Sequence, residues 1–243
     1  MITVHTNTYN EERIIEYFIN HYRENFPNCI IKIYDNYSTD NTVKIAEQYG
    51  CEIHYYDSGN KFCDDTMLNI RNNCWKNANT DWVIMCDTDE LVYISQEELS
   101  KQEELGFNII QPTGYTIINK DDSITDLKEM KYGYRDTPYD KCVIFNKKYI
   151  SEINFNHGSH QINPVGSYIN INQNQFKLIH YKWIGKKYTT ERRNMLKNRG
   201  ISDFNAKRNF SAEYVFDEES FPSYIEYAKI DNVYSRNDLI KVI

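Results

Sequence analysis

The sequence predicts an α/β protein with a mostly parallel sheet. Two observations carry that expectation. Short β-rich runs alternate with helix-period segments through the first half of the chain. The fourth such run, Trp82 to Cys86, is mostly apolar and reads as a buried strand that delivers three carboxylates at its end. At 243 residues the chain can bury a full core, and one domain over 1–243 is expected.

The elements follow in order. Ile2 to Thr6 is a β-rich run, and the polar loop Thr6 to Asn10 ends with a residue suited to capping a helix. From Glu11 to Asn25, Ile14, Ile15, Phe18, Ile19 and Tyr22 recur at helical spacing, and Pro27 stops the helix. Glu11 and Glu12 suit its positive end. Cys29 to Tyr34 is a second strand, followed by Asp35 to Thr42, where Ser38, Thr39 or Asp40 can cap the next helix. Gly50 ends that helix, and Glu52 to Tyr56 is a third strand. Phe62 to Trp75 carries Met67, Ile70 and Cys74 on one helical face. Ser95 and Glu98 have capping-box spacing at the head of a helix reaching Leu105. Phe107 to Asn119 is strand-like but interrupted by Pro112 and Gly114. Lys120 to Asp140 has no clean period and reads as a long functional or disordered loop. Lys141 to Phe145 and Gln175 to Trp183 are further strands. Tyr188 to Arg199 is a basic helix, and Pro222 to Ile230 a small terminal one. No internal repeat or linker is visible.

Composition narrows the functional classes. With 28 Lys and Arg against 35 Asp and Glu, the formal charge is −7, which argues against nucleic-acid binding by bulk charge. No apolar run reaches the roughly 18 residues a spanning helix needs. Peripheral membrane association stays compatible with this sequence. Met1 to Thr6 lacks a signal-peptide pattern. The six cysteines lie far apart with no C-x-x-C pair, which points to reduced thiols, a cytoplasmic protein and no structural zinc. The 21 tyrosines can be sugar-stacking platforms or core and interface fillers.

Three polar strand ends belong together: Thr6 to Asn10, Asp35 to Asp40, and Asp87 to Glu90. In an open α/β sheet such ends converge on a ligand crevice. No G-x-G-x-x-G and no glycine–lysine phosphate loop is present, so dinucleotide and P-loop readings lack their fingerprints. Short carboxylates and amides suit a base and ribose instead, and a cation at Asp87-Thr88-Asp89 would neutralise a diphosphate. The bland alternative for that run is an acidic surface turn.

The run Asn7-Thr8-Tyr9-Asn10-Glu11-Glu12, then Tyr34 to Thr42, then Asp87-Thr88-Asp89-Glu90-Leu91 resembles the GT-A nucleotide-sugar fold. The likeness is to the family 2 glycosyltransferases and their family 2-like, family 92-like relatives. His157-Gly158 and His180-Tyr181 match later histidine contexts of those relatives. The resemblance covers residues 1 to 94 firmly and thins toward 200. It implies a three-layer α/β/α fold with a nucleotide-binding half over 1–94, an acceptor-binding and metal-completing half over 95–200, and an extension over 201–243. It further implies that Thr6, Asn7, Thr8, Tyr9, Asn10 and Glu11 line the nucleotide pocket. Asp35 then contacts the base, and Asp87 with Thr88 contacts the donor. Asp87 and Asp89 match the metal-associated carboxylates, Asp89 more directly, and His180 is a third ligand for Mn²⁺ or Mg²⁺. Tyr37 stands where the family's D-D-G-S pattern has glycine.

Several residues carry a plain reading beside the functional one. Asp35 either contacts the base or caps its own loop. Arg71 reaches a phosphate or makes a surface ion pair, and Lys141 meets the diphosphate or solvent. His180 is a ligand or a satisfied structural histidine, and His5 is packed or solvated. His157 and His160 lack a third zinc ligand, which leaves His157 for acceptor binding or loop closure. Lys182, Lys186, Lys187, Arg192 and Arg193 form a solvated helix face or an anion site. The resemblance favours inversion, which needs a general base. Asp140, Asp136 and Glu129 lie in the irregular segment that would carry it, and Asp140 is the first choice because a strand follows. The expected activity is transfer of a sugar from a nucleoside diphosphate donor, probed first as a uridine nucleotide, to a glycan or other hydroxyl acceptor. A metal-dependent nucleotidyltransferase would release pyrophosphate instead. A non-catalytic nucleotide- or carbohydrate-binding protein would bind without turnover.

Overall fold

The computed structural model describes residues 1–221 and 227–243, with backbone alone at 170–174, 212 and 220. The chain gathers into two compact units built from interleaved stretches of sequence. The first holds Met1–Asp57, Met67–Gly114 and Asp136–His180. The second holds Ser58–Thr66, Tyr115–Arg135 and Tyr181–Ile243.

The first seven elements are β1 (Ile2–Thr8), α1 (Ile15–Asn25), β2 (Ile30–Asp35), α2 (Thr42–Gln48), β3 (Glu52–Tyr55), α3 (Asp64–Asn73) and β4 (Trp82–Met85). β1 pairs in parallel with β2 and β4, and β2 with β3, so the order is β4-β1-β2-β3. β1 and β4 are buried along their whole lengths; β4 is apolar throughout, as a strand in a covered sheet is, whereas β1 also buries Thr3, His5, Thr6, Asn7 and Thr8. α1 buries Ile15, Phe18, Ile19 and Tyr22, the stripe its spacing foretold. β5 (Glu90–Tyr93) and α4 (Gln96–Glu104) follow, and both bonds of the Ser95–Glu98 capping box are made.

The remaining strands are β6 (Ile109–Ile118), β7 (Tyr132–Arg135), β8 (Ile144–Asn146), β9 (Ile150–Glu152), β10 (Val165–Gly166) and β11 (Asn170–Trp183). In the first unit β8 runs antiparallel between β4 and the start of β6, with Phe145 opposite both Val83 and Ile109. β11 lies antiparallel to β5 and sets His180 directly across from Glu90. Trp75, Val83, Met85, Ile109, Phe145, Ile153 and Phe155 form one packed core beneath this edge.

The second unit contains α5 (Lys186–Arg199), α6 (Asp203–Arg208), α7 (Ile230–Tyr234) and β12 (Ile240–Lys241). Its part of β6 pairs with β7, and β7 with β12. Ile118, Trp183 and Val233 are its central apolar group.

Four local expectations change. The first helix begins at Ile15, not Glu11, because Asn10 does not cap it: its Oδ1 accepts from the Thr39 amide at 2.7 Å. Pro112 and Gly114 do not interrupt β6, since they fall between the stretch paired with β8 and the stretch paired with β7. The irregular segment contains β7, where Gly133 permits close approach: a Cβ there would lie 2.2 Å from the Thr116 carbonyl oxygen. Most of the small helix expected over 222 to 230 lies outside the described residues; α7 starts at Ile230.

Candidate functional site

The first unit presents the carboxyl ends of β1, β2 and β4 along one run of neighbouring strands. Asn7 is level with Tyr34 and Thr8 with Asp35. Thr6 and Thr88 share a hydroxyl contact of 3.1 Å, and Thr88 also donates to the Asn7 carbonyl at 3.2 Å. Thr88 is thus turned into the strand layer and buried, where it ties the β4 turn to β1. Asn7 Nδ2 and Thr8 Oγ1 are buried without a hydrogen-bond partner among the described residues. Buried polar atoms normally have partners, so these two have unused hydrogen-bonding capacity at the strand ends.

Asp35 is fully buried at the end of β2. It accepts from the Ser38 amide at 2.8 Å and from Ser38 Oγ at 2.5 Å. Ser38 Oγ in turn accepts from the Asn10 amide at 2.9 Å. Burial pushes the Asp35 carboxyl up, and the Ser38 bonds oppose that. The loop path survives the glycine replacement because Tyr37 itself adopts φ 56, with its ring outward on Tyr55 at 5.5 Å. Glu11 is buried and its amide donates to Thr42 Oγ1 at 2.7 Å, while Tyr9 and Asn10 are half-buried on the same rim.

The end of β4 is charged and assembled from distant segments. Arg71, expected as a phosphate or surface-pair residue on α3, is buried and ion-paired to Asp87 Oδ1. Its other nitrogens donate to Asn7 Oδ1 at 3.2 Å and Ser159 Oγ at 2.8 Å. Lys141 does not face solvent either: its ammonium is 3% exposed, 2.5 Å from Glu90 and 3.8 Å from Asp87 Oδ2. Burial raises the Glu90 carboxyl and the Lys141 charge lowers it. Tyr22 of α1 holds the backbone here, donating to the Glu90 carbonyl and accepting from the Val92 amide, each at 3.2 Å.

Asp89 lies 3.5 Å from His180 Nε2, with both side chains largely buried. Among the described residues no three His, Cys, Asp or Glu side chains converge on one metal position. Asp89 and His180 nevertheless offer one oxygen and one nitrogen donor together. Two protein donors suit an ion bound jointly with substrate phosphates, which fill the remaining positions. Asp87 fits less well as a ligand, since Arg71 and Lys141 address its two oxygens.

Of the base candidates, Asp140 accepts from the Gly114 amide at 2.7 Å, which anchors its turn. Asp136 is half-exposed at the start of the same Thr137–Tyr139 turn. Glu129 is exposed on a short turn of the second unit. His157 opens the turn that presents Ser159 to Arg71, and His160 Nδ1 donates to the Pro138 carbonyl, 2.7 Å away, so the two histidines are not a ligand pair. His5 is packed, its pKa lowered to about 3 by burial and by Lys32. In the second unit, Lys186 pairs with Asp231, Arg193 with Glu218 and Lys182 with Glu213, so much of the basic cluster is engaged locally. The residues sequence reasoning missed are Tyr139, Ser159 and Gly114. A glycine inside a strand pattern signals close backbone approach, and it was the available clue.

Comparison with known proteins bears on this site. The description "Glycosyl transferase family 2" matches residues 3–180. Protein RfbJ of Shigella flexneri is 41% identical over 46 residues, 19% of this chain and 36% of that protein. The match therefore spans about a third of that relative's length. Among solved structures, residues 1–349 of TarS from S. aureus share 15% identity over 94% of this chain and 74% of that chain, with a TM-score of 0.48. Glucosyl-3-phosphoglycerate synthase from Mycobacterium tuberculosis, solved with Mn²⁺, uridine diphosphate and glucosyl-3-phosphoglycerate, shares 18% over 47% of this chain and 44% of that chain, with a TM-score of 0.33. The family match runs from β1 to His180, the span that contains every residue of the charged cluster, and the chain belongs to glycosyl transferase family 2, with a GT-A-like α/β fold.

Proposed function

We propose that this glycosyltransferase moves a sugar from a uridine diphosphate donor to a glycan or other hydroxyl acceptor, with inversion, in a Mn²⁺- or Mg²⁺-dependent reaction. The observation that supports the reading best is the Asp89–His180 pair, 3.5 Å apart beside a carboxylate, Asp87, already neutralised by two cations. Asp89 and His180 would hold the divalent ion, which when bound supplies Lewis-acid stabilisation of the leaving diphosphate. Asn7 Nδ2 and Thr8 Oγ1 would bind the nucleoside, satisfying two buried polar atoms. Asp35 would meet the base with lone pairs not taken by Ser38, and Tyr9, Asn10 and Glu11 would form the rim. Arg71 and Lys141 hold Asp87 and Glu90 in place and would set the local field that a donor diphosphate meets.

Asp136 is the preferred general base in this reading. Asp140 commits a carboxylate oxygen to the Gly114 amide, which fixes its direction toward its own turn. Replacing Asp136 by Asn should lower kcat by about 10²–10⁴ with little change in donor binding. Among the described residues the six cysteines are free. No described helix is long and apolar enough to cross a membrane.

The test is a donor screen that measures release of UDP, GDP and CMP with and without Mn²⁺. Metal-dependent UDP release, lost in Asp89→Ala, is the expected result. Pyrophosphate release from a nucleoside triphosphate would move the protein to nucleotidyl transfer, and donor binding without any release would make it a binding protein.

A further inference from the structure

The Tyr139 ring touches several arms of the cluster. Its ring stacks on His180 with centroids 4.1 Å apart and planes 26° from parallel. The Lys141 ammonium lies 4.6 Å from the same ring centroid, a cation–π distance. The edge of the ring meets His160 at 5.6 Å. His160 is itself tied to the turn, through Nδ1 and the Pro138 carbonyl at 2.7 Å.

The turn carrying Tyr139 reaches this place by an unusually close approach. A Cβ on Gly114 would fall 2.4 Å from the Tyr139 carbonyl carbon and 2.5 Å from its Cβ. Gly114 also clamps the turn at both ends: its carbonyl accepts from the Asp136 amide at 3.0 Å, and its amide donates to Asp140 Oδ1 at 2.7 Å. The turn therefore sits on a glycine seat that no side chain could share.

An imidazole rotates about χ2 with little resistance of its own, because that torsion is broad. His180 Nε2 points at Asp89 only while the ring plane is held. The stacked Tyr139 ring is the surface that holds it. We propose that Tyr139 is a positioning residue: its ring fixes the plane of His180 so that Nε2 faces Asp89, and Gly114 is the seat that allows it. This rests on the reading of Asp89 and His180 as the cation-holding pair. The phenol oxygen is not needed for the role; the flat ring is.

The experiment compares Tyr139→Phe, Tyr139→Leu, His180→Ala and the Leu/Ala double variant of the full chain. Mn²⁺ affinity in the presence of UDP is read by electron paramagnetic resonance, alongside ligand-free melting curves. Groups that orient a metal ligand typically contribute 10–100-fold to metal affinity. Tyr139→Leu should weaken Mn²⁺ binding about tenfold at the low end of that range, Tyr139→Phe should stay within about threefold of wild type, and Leu should add nothing once His180 is Ala. Unchanged Mn²⁺ affinity in Tyr139→Leu, or the same loss on top of His180→Ala, would overturn the proposal. The His180 ring-proton resonances, recorded without metal, give the second readout. They should carry an upfield ring-current shift that Phe keeps and Leu removes; resonances that ignore both substitutions also overturn it. If wild type and His180→Ala bind Mn²⁺ equally, the cation reading fails, and the resonances alone then decide whether Tyr139 orients His180.

Discussion

The polar ends of β2 and β4 hold their shape by opposite means. At the end of β2, Asp35, Ser38 and Asp40 bond to residues two or three positions away, through short side chains and backbone amides. The longer links there, from Asn10 to Ser38 and Glu12 to Asn41, are hydrogen bonds in which a backbone amide takes part. At the end of β4, Asp87 and Glu90 are held by Arg71, Lys141 and, across the sheet, His180, which come from α3, the approach to β8 and β11. One loop is a local turn that tolerates even a tyrosine at positive φ. The other is a buried charge net, where each ion depends on a partner supplied by the tertiary fold. The first should therefore fail gradually, and the second abruptly.

The largest expected effect tests that abruptness. Lys141→Met would leave Glu90 buried beside Asp87 without its ammonium, and should cost about 3–5 kcal/mol of unfolding free energy. Chemical denaturation measures it, and the Lys141→Met/Glu90→Leu pair should recover much of the loss. A single-variant cost below about 1 kcal/mol would place the pair in a wetter setting than its burial indicates.

Next comes Asp89→Ala, which removes one half of the Asp89–His180 pair. Turnover with Mn²⁺ should fall about a hundredfold or more, roughly 3 kcal/mol in barrier, while the melting temperature moves little. Steady-state rates with matched melting curves check both halves. A protein that unfolds instead would put Asp89 in the structural net with Glu90.

At the other loop the effects are smaller. Asp35→Ala should weaken UDP binding by roughly 1–3 kcal/mol, by calorimetry. A loss below about 0.3 kcal/mol in folded protein would return Asp35 to a purely capping role. Ser38→Ala removes one donor to Asp35 and one acceptor for Asn10, and should cost about 1 kcal/mol of stability.

The mildest test is a pH slope. Burial raises the folded-state Asp35 carboxyl above its ordinary value of 3.8. Between those two values the folded chain binds more protons than the unfolded chain. Stability attributable to Asp35 should thus fall as pH rises through that window and level off above it. Asp35→Asn should remove this contribution, so its unfolding free energy, followed against pH, should lose that descending part. An unchanged slope would mean that Ser38 fully offsets the burial.

How much of this was legible in advance follows the same division. The strand and helix order through Tyr93, the Ser95–Glu98 cap and the D-x-D turn are all properties of residues close in sequence, where period and turn chemistry apply. The Lys120 to Asp140 segment was not legible, because β7 exists only through its pairing with β6 and β12, and Gly133 has no signal until Thr116 lies against it. Arg71 shows the same limit. Its helix was expected, but whether it faced solvent or Asp87 turned on how α3 packs near β4.

From the sequence alone came the α/β class, the polar strand ends and the acidic turn, while the pairing of Asp89 and His180 as candidates came from the resemblance to family 2-like glycosyltransferases. Those follow from hydrophobic period, local hydrogen-bonding capacity and a motif read in order. Only the tertiary structure decided which carboxylates are already neutralised, that Lys141 and Arg71 are buried, and that Tyr139 stands on Gly114 against His180. The physical reason is range. Turn and helix preferences act over a few residues, whereas a buried charge is tolerable only where the folded chain delivers its counter-charge, from 51 positions away in the case of Glu90 and Lys141.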